Sequence, residues 1–193
     1  MVVVAGPPGA GKSIAFPVAA IAARHRMTSF NIDDRCAERN GSYRNITAEL
    51  RREVQLECER FIVERIERRE GFAVETTLRT TVAFHQADQG RAAGFRTHMI
   101  FVGTDAAERN IERIRIRALG GGHAASEATI RAIYAASLSN LHSAFSRFDT
   151  VSVYDNSAEA PVLSARSRDG RLVILPDPPD WLRRALVGTV FAF

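Results

Sequence analysis

Three features of the sequence predict an α/β fold in three layers, with a mainly parallel sheet of about five strands covered by helices on both faces. Short apolar runs alternate with helical periodicities, a glycine-rich phosphate-loop pattern follows the first run, and polar or acidic residues close the later ones. Alternation of this kind is the signature of βαβ units, and ligands of such sheets bind at the carboxyl ends of the strands. Composition permits the fold: 193 residues, 46% hydrophobic and 25% charged, suffice for a well-buried core and exclude disordered, collagenous and disulfide-stapled classes.

The expected strands are Val2 to Ala5, Thr28 to Ile32, Phe72 to Glu75, Thr97 to Val102 and Val151 to Tyr154. Residues 47 to 70 read as a helix that Thr47 caps, because Leu50, Val54, Cys58, Phe61, Ile62 and Ile66 recur at three- and four-residue steps. Its many acids and arginines predict a solvated face. Residues 105 to 119 and 126 to 147 read as two further helices around Gly120-Gly121-Gly122-His123, a connection with the freedom to bend, so 105–135 is expected to act as a lid. Arg168-Asp169-Gly170 between the runs Val162 to Ser167 and Arg171 to Pro176 signals a C-terminal hairpin. A last helix is expected after Pro178-Pro179-Asp180, ending near Gly188. With no internal repeat or low-complexity linker, residues 1–193 read as one domain.

Lys12 is the single lysine among 26 basic side chains, and with 22 acids the net charge is +4. That bias is too small to imply nucleic-acid binding. No apolar run approaches the roughly 18 residues of a membrane span. Cys36 and Cys58 have no CxxC or His partner and read as free thiols in a reducing compartment, so the expected location is cytoplasmic.

Gly6-Pro7-Pro8-Gly9-Ala10-Gly11-Lys12-Ser13 matches GxxxxGK[ST] between a strand and a helical pattern, the context that gives the motif its meaning. The glycines let backbone N–H groups turn toward a polyphosphate, Lys12 reaches the β- and γ-phosphates, and the Ser13 hydroxyl is the expected ligand of Mg²⁺. Such a loop alone says ATP or GTP; a GTPase switch is excluded, because a guanine-reading NKxD motif cannot exist in a chain whose only lysine is Lys12.

Asn31-Ile32-Asp33-Asp34-Arg35 falls at the end of the second strand, where a carboxylate either takes a proton from an attacking hydroxyl or caps the next helix. Glu75-Thr76-Thr77-Leu78-Arg79 closes the third strand, and its polar groups either hold a substrate or cap a helix. Arg109, Arg113 and Arg117 share one helical face, with Arg131 beyond the glycines; they either clamp phosphate or pair with Glu108 and Glu112. His123 is either a loop residue or part of the site.

In order, these motifs resemble the zeta-toxin group of P-loop kinases, especially its small stand-alone members. Gly6 to Ser13, Asn31-Ile32-Asp33, Glu75 to Arg79, Arg113-Ile114-Arg115-Ile116-Arg117 leading to Gly121-Gly122-His123, Ile130-Arg131 with Tyr134, Ser137 to Leu141 and Tyr154-Asp155-Asn156-Ser157 carry the resemblance across most of residues 1 to 157. It implies a nucleotide-kinase-like P-loop fold and transfer of the ATP γ-phosphate to a sugar hydroxyl, in the family's toxins the 3′-hydroxyl of UDP-N-acetylglucosamine. By position, Asp33 resembles the general base and Glu75 the substrate-holding carboxylate, with Thr76, Arg79 and His123 beside the substrate. Arg117 and Arg131 resemble the phosphate-clamping arginines, with Arg113 a third. The family also implies a small antitoxin protein as partner. Ala132-Ile133 and Ala135-Ala136 flank Tyr134 where relatives carry more arginines, which leaves the acceptor open: a nucleotide-activated sugar or another small hydroxylated substrate, such as an antibiotic or nucleoside. A non-catalytic ATP-binding module that docks a protein partner through the apolar end Val187 to Phe193 is the alternative from another class.

Overall fold

The computed structural model describes residues 1–119 and 125–187. Seven strands form one sheet: β1 Val2–Ala5, β2 Thr28–Phe30, β3 Phe72–Thr76, β4 His98–Gly103, β5 Thr150–Asp155, β6 Val162–Arg168 and β7 Arg171–Ile174. Their order is β2-β3-β1-β4-β5-β6-β7; β1 to β5 run parallel, and β6 and β7 add antiparallel strands at one edge. The eight helices among the described residues are α1 Lys12–Ala15, α2 Val18–Arg24, α3 Ile32–Asn40, α4 Ala48–Glu67, α5 Val82–Ala92, α6 Ala107–Leu119, α7 Glu127–Arg147 and α8 Asp180–Leu186.

The unbroken apolar character of β1 follows from burial on both faces. Val3 and Ala5 join one hydrophobic cluster with Phe72, Phe101, Phe145 and Val153, whereas Val4 joins another with Val18, Ala22 and Ala73. The expected hairpin forms where Asp169 and Gly170 both take positive φ, 49° and 77°, as a tight turn between β6 and β7 requires. From α8, Trp181, Leu182 and Leu186 pack into the first cluster, so the C-terminal elements complete the core.

Several expectations need correction. The second strand ends at Phe30 and not at Ile32, because the Asn31 side chain accepts from the backbone N–H groups of Asp33 and Asp34 and starts α3. Asp33 therefore lies in a helical first turn. The charged face of α4 is more than a solvated one: its Arg51, Glu53 and Glu57 pair with Asp33, Arg39 and Arg35 and tie α4 to α3. The helix after the phosphate loop is broken at Phe16-Pro17, since a residue before proline avoids helical backbone; Phe16 sits at φ −137° and packs against Tyr154 with the rings tilted by 48°. Thr47 does cap α4, accepting from Leu50 N at 3.1 Å. Both cysteines are free and buried, and burial pushes the Cys58 thiol up to about 12. His123 and residues 188–193 lie outside the described residues.

Candidate active site at the carboxyl edge of the sheet

β1, β2 and β3 end side by side, and that register brings the phosphate loop, Asn31 and Glu75 together. Glu75 is the hub. Ser13 Oγ donates to its Oε2 at 2.9 Å, Asn31 Nδ2 donates to the same oxygen at 3.2 Å, and Lys12 Nζ stands 3.6 Å from its Oε1. Lys12 is buried and also donates to the carbonyls of Gly6 and Pro7 at 2.8 and 3.1 Å. Burial pulls its ammonium below the ordinary lysine value; the carboxylates of Glu75 and Asp33 oppose that shift and the Arg117 guanidinium adds to it. Glu75, Asp33 and Arg117 therefore all act on Lys12.

The loop's shape is imposed from three sides. A Cβ on Gly6 would stand 2.1 Å from the Val102 carbonyl oxygen, one on Gly9 2.6 Å from that of Asn110, and one on Gly11 2.4 Å from Asn156 Nδ2, with φ positive at all three. Asn156 Nδ2 donates to the Ala10 carbonyl at 2.7 Å and its own N–H donates to Gly103 O, so the residue after β5 fastens the loop to the sheet. Pro7, Pro8 and Ala10 complete the loop between these anchor points.

Asp33 accepts from Arg51 Nη1 at 2.8 Å, and both side chains are about half exposed. Thr76 and Thr77 cap no helix: Thr76 Oγ1 accepts from Leu78 N, and α5 begins only at Val82. The segment is braced from α7, where Ser137 Oγ donates to Thr77 O and Asn140 Nδ2 donates to Leu78 O at 3.0 Å. This holds Leu78 buried at φ 55° and turns Arg79 to the surface.

The arginines differ from one another. Arg109 forms two hydrogen bonds with Asp105, and that partner holds the Asp105 carboxyl below its usual range. The expected partners Glu108 and Glu112 turn elsewhere: Glu108 pairs with Arg131 and Glu112 stands 3.9 Å from Arg115. Arg131 is also 3.9 Å from Glu127. Arg113 is half-buried, and its Nη1 has no hydrogen-bond partner. Sequence reasoning placed Asn31 at this edge, within Asn31 to Arg35, but missed its bond to Glu75, and it missed Arg51, Thr104 and Asn110, which no local signal marked.

No protein-family model matches the chain, and no curated protein matches it. Solved structures do. A chain of the PezAT chromosomal toxin–antitoxin system of Streptococcus pneumoniae superposes with a TM-score of 0.63 at 14% identity, over 97% of this chain and 78% of that one. A chain of the native AvrRxo1-ORF1:-ORF2 complex gives 0.71 at 14% identity, over 95% of this chain and 62% of that one. In the same complex with ATP the TM-score is 0.67 at 14% identity, over 90% and 59%. The fold is that of a P-loop kinase. The chain spans about three fifths of the length of the AvrRxo1 structures it matches. Glu75 and Asn31 meet beside the phosphate loop at the ends of β3 and β2, and α6 meets the loop at Gly9 through Asn110.

The donor set fits Mg²⁺. Ser13 Oγ spends its proton on Glu75 and keeps its lone pairs available, and both groups offer hard oxygen ligands of the kind Mg²⁺ combines with phosphate oxygens and water. Among the described residues no cluster of three or more His, Cys, Asp or Glu side chains is placed to hold a metal, and no helix is long and apolar enough to cross a membrane.

Proposed function

We propose that the chain is an ATP-dependent small-molecule kinase of the zeta-toxin type, which transfers the ATP γ-phosphate to a hydroxyl of a nucleotide-activated sugar such as UDP-N-acetylglucosamine. The observation that carries the reading is the convergence of Lys12, Ser13 and Asn31 on Glu75, with Asp33 close enough for its charge to act on Lys12. A phosphate loop followed by an unrelated edge would bind a nucleotide; this edge adds a base and polar groups for an acceptor.

In this reading the acceptor hydroxyl lies beside Asp33, with Glu75, Thr76 and Arg79 around the sugar. Its oxygen attacks the γ-phosphorus, the bond from that phosphorus to the β–γ bridging oxygen breaks, and the hydroxyl proton passes to Asp33 Oδ. Lys12 leaves its carbonyl partners for the phosphates, while Arg113, Arg117 and Arg131 neutralise charge on the transferred group. Ser13, hydrogen-bonded to Glu75, would hold Mg²⁺, which when bound would supply further charge neutralisation on the phosphate oxygens. A toxin role held in check by an antitoxin belongs to the same proposal and is supported by the fold shared with the PezAT structure.

The test is incubation with ATP, Mg²⁺ and a panel of UDP-sugars, followed by mass spectrometry. A product heavier by one phosphoryl group is expected from UDP-N-acetylglucosamine or a close analogue. ATP binding with no phosphorylated product from UDP-sugars, nucleosides or aminoglycosides would leave only the binding-module alternative.

A further inference from the structure

Among the described residues, four buried side-chain polar atoms have no hydrogen-bond partner, and two of them, Asn110 Nδ2 and Arg113 Nη1, are three residues apart on α6. Residues at that spacing share a helical face. Both atoms are donors, and an unmatched buried donor is costly enough that its persistence calls for an acceptor that arrives later. Asn110 is fully buried, and its main chain presses on the loop at Gly9, where an added Cβ would come within 2.6 Å of Asn110 O and 3.0 Å of its Cα. Gly9 is a position that GxxxxGK[ST] leaves unspecified, so this glycine answers to α6 and not to the motif.

The same asparagine is anchored from behind. Its Oδ1 accepts from Thr104 Oγ1 at 2.6 Å, and Tyr134 of α7 donates to Thr104 O at 2.7 Å. The turn after β4 thus links α7 to the start of α6, which presses on the phosphate loop at Gly9. Further along α6, Arg117 lies close enough to Lys12 to shift its protonation.

We propose that Asn110 both binds polyphosphate, through its unmatched Nδ2, and locks the start of α6 against Gly9, so that Arg113 and Arg117 are set by the loop itself. The missing acceptors of Asn110 Nδ2 and Arg113 Nη1 are supplied when phosphate oxygens occupy the loop. This rests on the reading of the loop as an ATP site.

The test measures equilibrium binding, by calorimetry with ATP and with inorganic tripolyphosphate, on the full chain. Asn110→Ala is expected to weaken ATP about ten-fold, the usual effect of losing a hydrogen bond to a charged group. Asn110→Asp keeps the oxygen that accepts from Thr104 and replaces the donor by a carboxyl oxygen; with its fold checked by circular dichroism, because a carboxyl at a buried position costs stability, it is expected to weaken both ligands at least as much. The decisive measurement is a double-mutant cycle: Arg117→Ala weakens ATP in the parent but adds less than about two-fold in Asn110→Ala, because the arginine is then no longer held in place. Unchanged affinity in both Asn110 variants, or full additivity with Arg117→Ala, overturns this proposal alone. A parent chain that binds neither ATP nor tripolyphosphate overturns the kinase reading together with it.

Discussion

Asp33 stands between two cations, ion-paired with Arg51 at 2.8 Å and acting on buried Lys12, while its half-exposed carboxylate remains open to a substrate hydroxyl. Asp33→Asn keeps the size of the side chain and an oxygen for Arg51, but the amide cannot take a proton. The lost surface pair is worth well under about 1 kcal/mol, so folding is preserved. Phosphoryl transfer should fall by about 10²–10⁴ with ATP affinity intact, read by product mass and calorimetry side by side; normal turnover would reduce Asp33 to a helix-start residue. That Lys12, Ser13, Asp33 and Glu75 share one sheet edge was legible, because each lies at or just after a short apolar run that reads as a strand. Asn156 and Asn110 were not legible in these roles. Asn156 is marked by the Asp-Asn-Ser that follows a strand, but its bond to Ala10 spans 146 positions, and nothing local to Asn110 distinguishes it from an ordinary polar residue.

At the scale of elements, α4, α6, α7 and the short α8 were legible, whereas α5 and the extent of α3 were not. α4 and α7 carry enough turns for apolar residues to repeat, and Thr47 and Ser126 cap them through Leu50 N and Thr129 N. α3 has nine residues, of which only Cys36 and Ala37 are buried, so it has no apolar stripe to read. The bracing role of α7 is likewise invisible in one dimension, since Ser137 and Asn140 lie about 60 positions from the carbonyls they hold. That brace makes a separable prediction. Asn140→Ala frees the Leu78 carbonyl and loosens Thr76 to Arg79 without touching the phosphate loop. The KM for the acceptor should rise several-fold while ATP affinity stays within about two-fold, given a typical hydrogen-bond contribution of about 1 kcal/mol. Equal weakening of both ligands would show that α7 supports the whole edge and not the acceptor side.

At the scale of the whole molecule, the parallel sheet was legible because runs buried on both faces have few polar residues, and the antiparallel edge because Asp169-Gly170 marks its turn. Strand order was not, since it depends on how crossover helices pack and leaves no trace in any single segment. The sheet also separates two kinds of titratable group. The carboxyl edge holds the candidate site; at the opposite edge, His98 opens β4 and shares a hydrogen bond with the Thr150 hydroxyl. Burial pushes the His98 imidazole below its ordinary value of 6.5, and the positive charges of Arg166 and the Met1 amino group push the same way. The unfolded chain therefore takes up a proton at a higher pH than the folded one. The contribution of His98 to stability is complete above about pH 6.5 and is lost as the pH falls through that value toward the lower folded one. Asp105, whose carboxyl is depressed by Arg109, also loses its contribution on acidification, but that loss sets in only below its ordinary value of 3.8, whereas the loss from His98 sets in near 6.5. His25, His85 and His142 are exposed. The melting temperature of the parent is expected to fall between pH 7.5 and 5.5, and His98→Gln, which retains a partner for Thr150 and does not titrate, should flatten that slope. Parallel pH profiles for parent and variant would place the acid-sensitive group elsewhere in the chain.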